Sequence, residues 1–125
     1  IVDDFGYLLN PMLVEGQVHG GVVQGLGQAM MEQVVYDENG QLLTASFMDY
    51  GMPRAADVPM FEFNNIVVPS TANPIGMKGC GEAGTIGSMA AVSNAMMNAL
   101  AEHNVKIADM PFTPQRVWKM LQAAR

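Results

Sequence analysis

The sequence predicts an α+β domain in which a mixed or antiparallel sheet is packed by two main helices. Three observations point there. Apolar residues recur at near-helical spacing between Val14 and Tyr36, and an uncharged run rich in Met, Ala, Val, Asn and Leu follows Thr85. Three further segments, Ile1–Leu9, Val34–Phe47 and Phe61–Val68, have the composition of strands.

Ile1–Leu9 mixes apolar residues with Asp3, Asp4 and Gly6 and runs into an Asn10-Pro11 turn, which predicts a leading strand. In the first helix, expected over Val14–Gln33, residues Val18, Val22, Val23, Leu26 and Met30 keep helical spacing. Glu15 lies near the first turn, where the helix dipole favours an acid. Glycines at 20, 21, 25 and 27 interrupt it, each costing up to about 1 kcal/mol relative to Ala in a helix interior. Either another backbone or a ligand approaches them closely, or they serve tight helix packing. Asp37-Glu38-Asn39-Gly40 is a turn signal that joins Val34–Tyr36 to Leu42–Phe47 as a hairpin, and Tyr50-Gly51-Met52-Pro53 is a second turn. Phe61–Val68 alternates between Pro59 and Pro69 and reads as a strand. A long loop, Ser70–Gly84, ends where Thr85 or Ser88 is expected to cap a helix through Glu102. That helix has no charged face, which predicts burial all round. After a short Val105–Ile107 segment, Thr113 or Pro114 opens a terminal helix through Ala124, with Arg116, Lys119 and Arg125 exposed. No repeat, linker or low-complexity tract divides the 125 residues, so a single domain is expected over 1–125.

Charge narrows the function. Charged residues are 14% of the chain, against roughly a quarter in an ordinary soluble domain, while apolar types are 50%. A free-standing globule needs more surface charge, so the composition suggests a piece of something larger. Net charge is −6, and no Lys or Arg precedes Arg54, which sets nucleic-acid binding aside. The longest uncharged stretch, Ala83–Ala101, is broken by Gly, Thr, Ser and Asn and is too polar for a transmembrane segment. The chain opens Ile-Val-Asp-Asp, with no basic leader and no initiator Met, so no secretion signal is expected and the sequence reads as the middle of a longer one. Cys80, the only cysteine, excludes an internal disulfide and fits a reducing compartment, with a cytoplasmic location expected.

The loop contains Gly79-x-Gly81-x-x-Gly84, formally a dinucleotide fingerprint. A dinucleotide fold needs a strand running directly into that loop and an acid at a second strand end about 20 residues on. Here Pro69 and Pro74 intervene, and Glu102 falls in a helix. No Gly-Lys-Ser/Thr follows for a phosphate loop. Closely spaced glycines before a helix nonetheless admit an anionic or oxygen-rich ligand to free backbone N–H groups. Glu82 lies inside this loop with Lys78 nearby in sequence. Burial would raise its pKa, and Lys78 and the helix N-terminus would lower it, a competition found at tuned general bases. A helix-cap or salt-bridge role is the alternative. Cys80 reads as a small buried residue. His19 reads as packed rather than ligating, and no residue is assigned as a metal ligand. Gln17, Gln24, Gln28 and Gln33 form an amide stripe that either binds a polar cofactor or faces solvent. The twelve methionines read as core filler.

These segments together resemble the C-terminal end of the large, molybdenum-binding subunit of the xanthine dehydrogenase and aldehyde oxidase family, including the bacterial carbon monoxide dehydrogenase large chain. The matching stretches are Asp3-Asp4-Phe5-Gly6 with Asn10-Pro11, Gly16-Gln17-Val18-His19-Gly20-Gly21 with Gln24-Gly25-Leu26-Gly27, and Tyr50-Gly51-Met52-Pro53. They continue through Asn73-Pro74-Ile75-Gly76-Met77-Lys78-Gly79-Cys80-Gly81-Glu82-Ala83-Gly84 to Thr113-Pro114-Gln115-Arg116-Val117-Trp118, in the family's order. The resemblance implies that Glu82 is the general base beside the molybdenum, deprotonating the oxygen nucleophile that attacks the substrate carbon. It implies that Gln17 hydrogen-bonds the pterin and that the backbone of Lys78, Gly79, Cys80 and Gly81 shapes the pocket wall, with no role for the Cys80 side chain. The implied cofactor is molybdenum–molybdopterin, in its cytosine dinucleotide form, with iron–sulfur and FAD groups on other domains or subunits. The implied partners are the rest of the large subunit, those iron–sulfur and flavin subunits, and a small-molecule substrate such as an aldehyde or N-heterocycle. Alone, the chain is expected to be inactive and to self-associate through its uncharged faces. The rival readings are a non-enzymatic remnant or interaction domain, and a nucleotide-binding module built on Gly79–Gly84.

Overall fold

The structure, a computed structural model, describes residues 1–106 and 108–124. Ile107 of the expected Val105–Ile107 segment, and Arg125, lie outside the described residues.

Asn10 begins the first helix three residues earlier than the apolar pattern suggests. Its side-chain carbonyl accepts from the Leu13 N–H at 3.2 Å, and Pro11 takes the first helical position, where a missing N–H costs nothing. Helix α1 therefore runs Pro11–Met30 and closes at Gly27, whose carbonyl accepts from Met31 (2.9 Å) and Glu32 (2.8 Å). Helix α2, Ala83–Ala101, also starts before its expected caps. Thr85 and Ser88 serve elsewhere: the Thr85 hydroxyl donates to Gly21 O on α1 at 3.0 Å, and the Ser88 hydroxyl donates to Thr85 O at 3.2 Å. Helix α3, Pro114–Ala123, begins at the expected Thr113, whose hydroxyl accepts from Arg116 N at 3.3 Å.

The centre of the fold is the crossing of α1 and α2, made by glycines. A Cβ at Gly84 would lie 2.5 Å from Val18 O and 2.9 Å from Val22 N, and one at Gly21 would lie 3.0 Å from Thr85 N. The helices touch backbone to backbone there. One turn on, Gly25 makes room for the Ser88 side chain, with Met89 N 3.2 Å from where its Cβ would lie. A small core of Phe5, Ala29, Leu100, Val105 and Phe112 surrounds this contact, and Phe112 N donates to Ala29 O at 2.7 Å.

The expected sheet does not form among the described residues, and the chain is mostly helical. Two isolated antiparallel bridges, Gly6 with Met77 and Tyr36 with Leu42, replace it. The Asp37–Gly40 turn is present, with Gly40 at φ +80° and Asp37 Oδ1 accepting from Asn39 and Gln41. The expected hairpin pairs locally, Leu43 N donating to Val35 O at 2.8 Å and Asp37 N to Gln41 O at 2.9 Å, and the ladder stops there because Val35 N donates to the Thr44 hydroxyl instead of a carbonyl. Ile1–Leu9 contributes one bridge, and Phe61–Val68 joins no ladder, its Ile66 69% exposed. Alternating composition marks a segment with two different faces, but a strand exists only through a neighbour's N–H and C=O groups.

The accessible surface is 9036 Å², against about 6,500 Å² for a folded monomer of this mass from surface-to-mass scaling. The excess is apolar in part: Phe47, Met48 and Met60 project into solvent, as does Ile86 on α2. Burial of α2 all round is thus corrected. Its buried positions are Gly84, Ser88 and Leu100, since α1 covers one side only. Arg116 is half-buried, not exposed, while Lys119 is exposed as expected. Among the described residues no helix is long and apolar enough to cross a membrane.

Candidate cofactor-binding site

The glycine-rich loop rests on the first residues of the chain. Lys78 N donates to Phe5 O at 2.9 Å and Tyr7 N to Gly76 O at 3.2 Å. Gly6, at φ +62°, passes so close to Gly76 that a side chain there would strike its carbonyl. Asn73 shapes the bend: its Oδ1 accepts from Gly76 N (2.7 Å) and Met77 N (3.2 Å), and its Nδ2 donates to Met77 O (3.0 Å). Asp4 ties three stretches together. Its Oδ1 accepts from Gly6 N at 2.9 Å and Val68 N at 3.1 Å, and its Oδ2 pairs with Lys78 Nζ. The Lys78 ammonium, and next the Gly6 N–H, hold the Asp4 carboxyl below the usual aspartate range.

Past Lys78 the loop opens. Among the described residues, the N–H groups of Gly79, Cys80 and Gly81 donate to no protein acceptor, and Cβ positions at Gly79 and Gly81 would meet nothing within 4 Å. The Gln17 amide reaches across from α1 and donates to Gly81 O at 2.7 Å. Two residues singled out from sequence, 64 positions apart, thus meet. The cause is the helix crossing: Gln17 stands one turn before Gly21, and Gly81 three residues before Gly84. Glu82 follows at the N-cap position of α2, exposed, with its carbonyl accepting from Thr85 N and Ile86 N at 3.0 Å each. Its carboxylate makes no capping bond. The cap alternative is therefore not used, and the Lys78 ammonium is committed to Asp4 instead of Glu82.

These residues fit an anionic, oxygen-rich cofactor. The loop offers uncommitted N–H donors, open space above its glycines and a fixed side-chain amide. The dinucleotide alternative lacks its strand, since 61–69 joins no ladder, and Gly84 is occupied in helix packing.

The other candidates fall outside this cluster. Cys80 is half-buried and faces a cavity of about 240 Å³ with Phe5, Leu13 and Met77. His19 packs edge-on against Phe61, centroids 5.5 Å apart, with Nε2 3.9 Å from Glu15. Gln24, Gln28 and Gln33 are exposed. Sequence reasoning missed Asp4 and Asn73. The signal for Asp4 was present, because Asp-x-Gly is a short-range pattern in which a carboxylate accepts from the N–H two residues on. Nothing local announced its partners Val68 and Lys78.

Residues 1–59 match the family described as molybdopterin cofactor-binding domain. The nicotine 6-hydroxylase large subunit of Paenarthrobacter nicotinovorans is 45% identical over 93% of this chain and 14% of its own length. The xanthine dehydrogenase molybdenum-binding subunit of Escherichia coli O157:H7 is 36% identical over 98% of this chain and 16% of its own. The solved structure of reconstituted CO dehydrogenase from Oligotropha carboxidovorans superimposes with a TM-score of 0.91 at 41% identity, covering 98% of this chain and 15% of that one. The fold is thus that of the matching part of the CO dehydrogenase structure, and residues 1–59 carry the match to the molybdopterin cofactor-binding family. Over nearly its whole length the chain is homologous to the molybdenum-binding large subunits of these enzymes, and it spans about one seventh of the length of the relatives it matches.

Proposed function

We propose that this chain is the C-terminal part of the molybdopterin-binding domain of a molybdenum hydroxylase, and that Glu82 is the general base for oxidising an aldehyde, N-heterocycle or similar small substrate with water-derived oxygen. The observation that carries the reading is the convergence of Gln17, the open Gly79–Gly81 backbone and the uncapped Glu82 at one end of the α1–α2 crossing. Molybdenum–molybdopterin, in the cytosine dinucleotide form, supplies the redox chemistry when bound. The chain's own groups bind and orient it. The Gly79, Cys80 and Gly81 N–H groups would donate to its oxygens, and Gln17, with Nε2 given to Gly81 O, would offer its Oε1 as an acceptor. Glu82 takes the proton from the oxygen nucleophile onto its carboxylate.

Iron–sulfur and flavin groups on other domains or subunits complete the electron path, and the rest of the large subunit covers the exposed apolar faces. Ile1–Leu9 and Phe61–Val68 become strands when that neighbouring chain supplies ladder partners. By itself the chain neither holds the cofactor tightly nor turns over substrate.

The test is Glu82→Gln in the full-length enzyme. Turnover falls by at least about 10²-fold, the scale of a lost general base, while molybdenum content stays at the wild-type level. Near-normal turnover overturns the assignment. The uncovered surface makes a second expectation: the isolated chain self-associates in sedimentation velocity runs as concentration rises, and a monomer at all concentrations contradicts it.

A further inference from the structure

The Asp4 carboxylate joins the start of the chain, the end of the 61–68 segment and the glycine-rich loop. Residue 78 is held twice over, by its side chain on Asp4 and by its main-chain N–H on Phe5 O at 2.9 Å. From there the chain crosses Gly79 and Cys80 with no protein partner for their N–H groups, and is caught again at Gly81 by Gln17. Glu82 therefore ends a short span hung between two fixed points. The far point is set by the packed helix crossing. The near point is held by the Gly6–Met77 bridge and by Asn73 at residues 76 and 77, and Asp4 holds the Lys78 side chain.

We propose that Asp4 is a positioning residue: by gathering Lys78, Gly6 and Val68 onto one carboxylate, it fixes the near end of the Gly79–Glu82 span and so the place at which Glu82 meets the substrate. This rests on the reading of Glu82 as base. The Asp4 and Lys78 side chains are 30% and 34% exposed, so their pair adds little to global stability, and its value lies in geometry. A catalytic group displaced by about 1 Å loses up to about 10²-fold in rate, which is the scale at stake.

The experiment uses the full-length, molybdenum-loaded enzyme with Asp4→Asn, which keeps an acceptor for the two N–H groups but removes the charge that holds Lys78. Lys78→Gln tests the same pair from the other side and serves if Asp4→Asn does not fold. Amide hydrogen exchange, read by mass spectrometry, is expected to rise about tenfold in peptides covering 79–82 and to stay unchanged in α1. Turnover is expected to fall about ten- to hundredfold in kcat with KM within about twofold, and Asp4→Glu to recover part of it. In a Glu82→Gln background, Asp4→Asn costs nothing more, because the group it places is already gone. Unchanged exchange at 79–82 overturns the proposal, as does increased exchange there with kcat intact. Exchange rising equally in α1, with the same loss in the Glu82→Gln background, assigns Asp4 to fold maintenance and also overturns it. Full turnover by Glu82→Gln alone removes the base and with it the catalytic half of the proposal, while the exchange result still decides separately whether Asp4 holds the loop.

Discussion

Seven of the thirteen glycines fall into two groups that sequence cannot tell apart. Gly21, Gly25 and Gly84 are buried at the helix crossing, where the space a side chain needs is taken by the other helix. Gly16, Gly20, Gly79 and Gly81 are exposed, and a Cβ at each would meet nothing within 4 Å. The first group builds the fold. The second lies along the chain on either side of Gln17 and at the Gly81 that it reaches, and leaves that end of the crossing open. Counting glycines would have assigned one purpose to both.

The contrast makes graded predictions. Gly84→Ala presses a methyl group on the Val18 and Val22 backbone, which has no flexible end to yield, and destabilises the protein by about 1–3 kcal/mol in denaturant unfolding. Gly20→Ala does the opposite. It fills open space on an exposed helix interior and raises the stability of the chain by about 0.5–1 kcal/mol, visible as a higher denaturation midpoint. A drop at Gly20 as large as at Gly84 would erase the distinction. The smallest effect belongs to the loop's anchor and depends on pH. Lys78, and next the Gly6 N–H, depress the folded pKa of Asp4, so its stabilisation is present above the ordinary value of 3.8 and is lost as pH falls through the folded value. The midpoint difference between wild type and Asp4→Asn therefore stays constant from pH 7 towards 4 and shrinks below that. Growth of the difference on acidification would reverse the assignment.

The helices were legible because caps and periodicity are local. Thr113-Pro114 opens α3 where it was expected, while Asn10-Pro11 looked like a turn and is a cap followed by a helical Pro, two readings that share the same residues. The strands were illegible for the converse reason: Phe61–Val68 has the alternation of a strand, but pairing is a property of two segments. For the site, Glu82 and Gln17 stood out by their neighbours in sequence, and their meeting through Gly81 did not.

Residue types and their short-range spacing were enough to mark the helices, the glycine-rich loop and the carboxylate at its end, because capping, turn formation and helical periodicity act over a few residues. Folding alone brought Gln17 to Gly81 and Asp4 to Lys78, contacts spanning 64 and 74 residues. Those contacts follow from a helix crossing close enough for Gly84 to touch the α1 backbone, and from a first segment that docks under the loop. Such distances are set by packing in three dimensions, which no local pattern encodes.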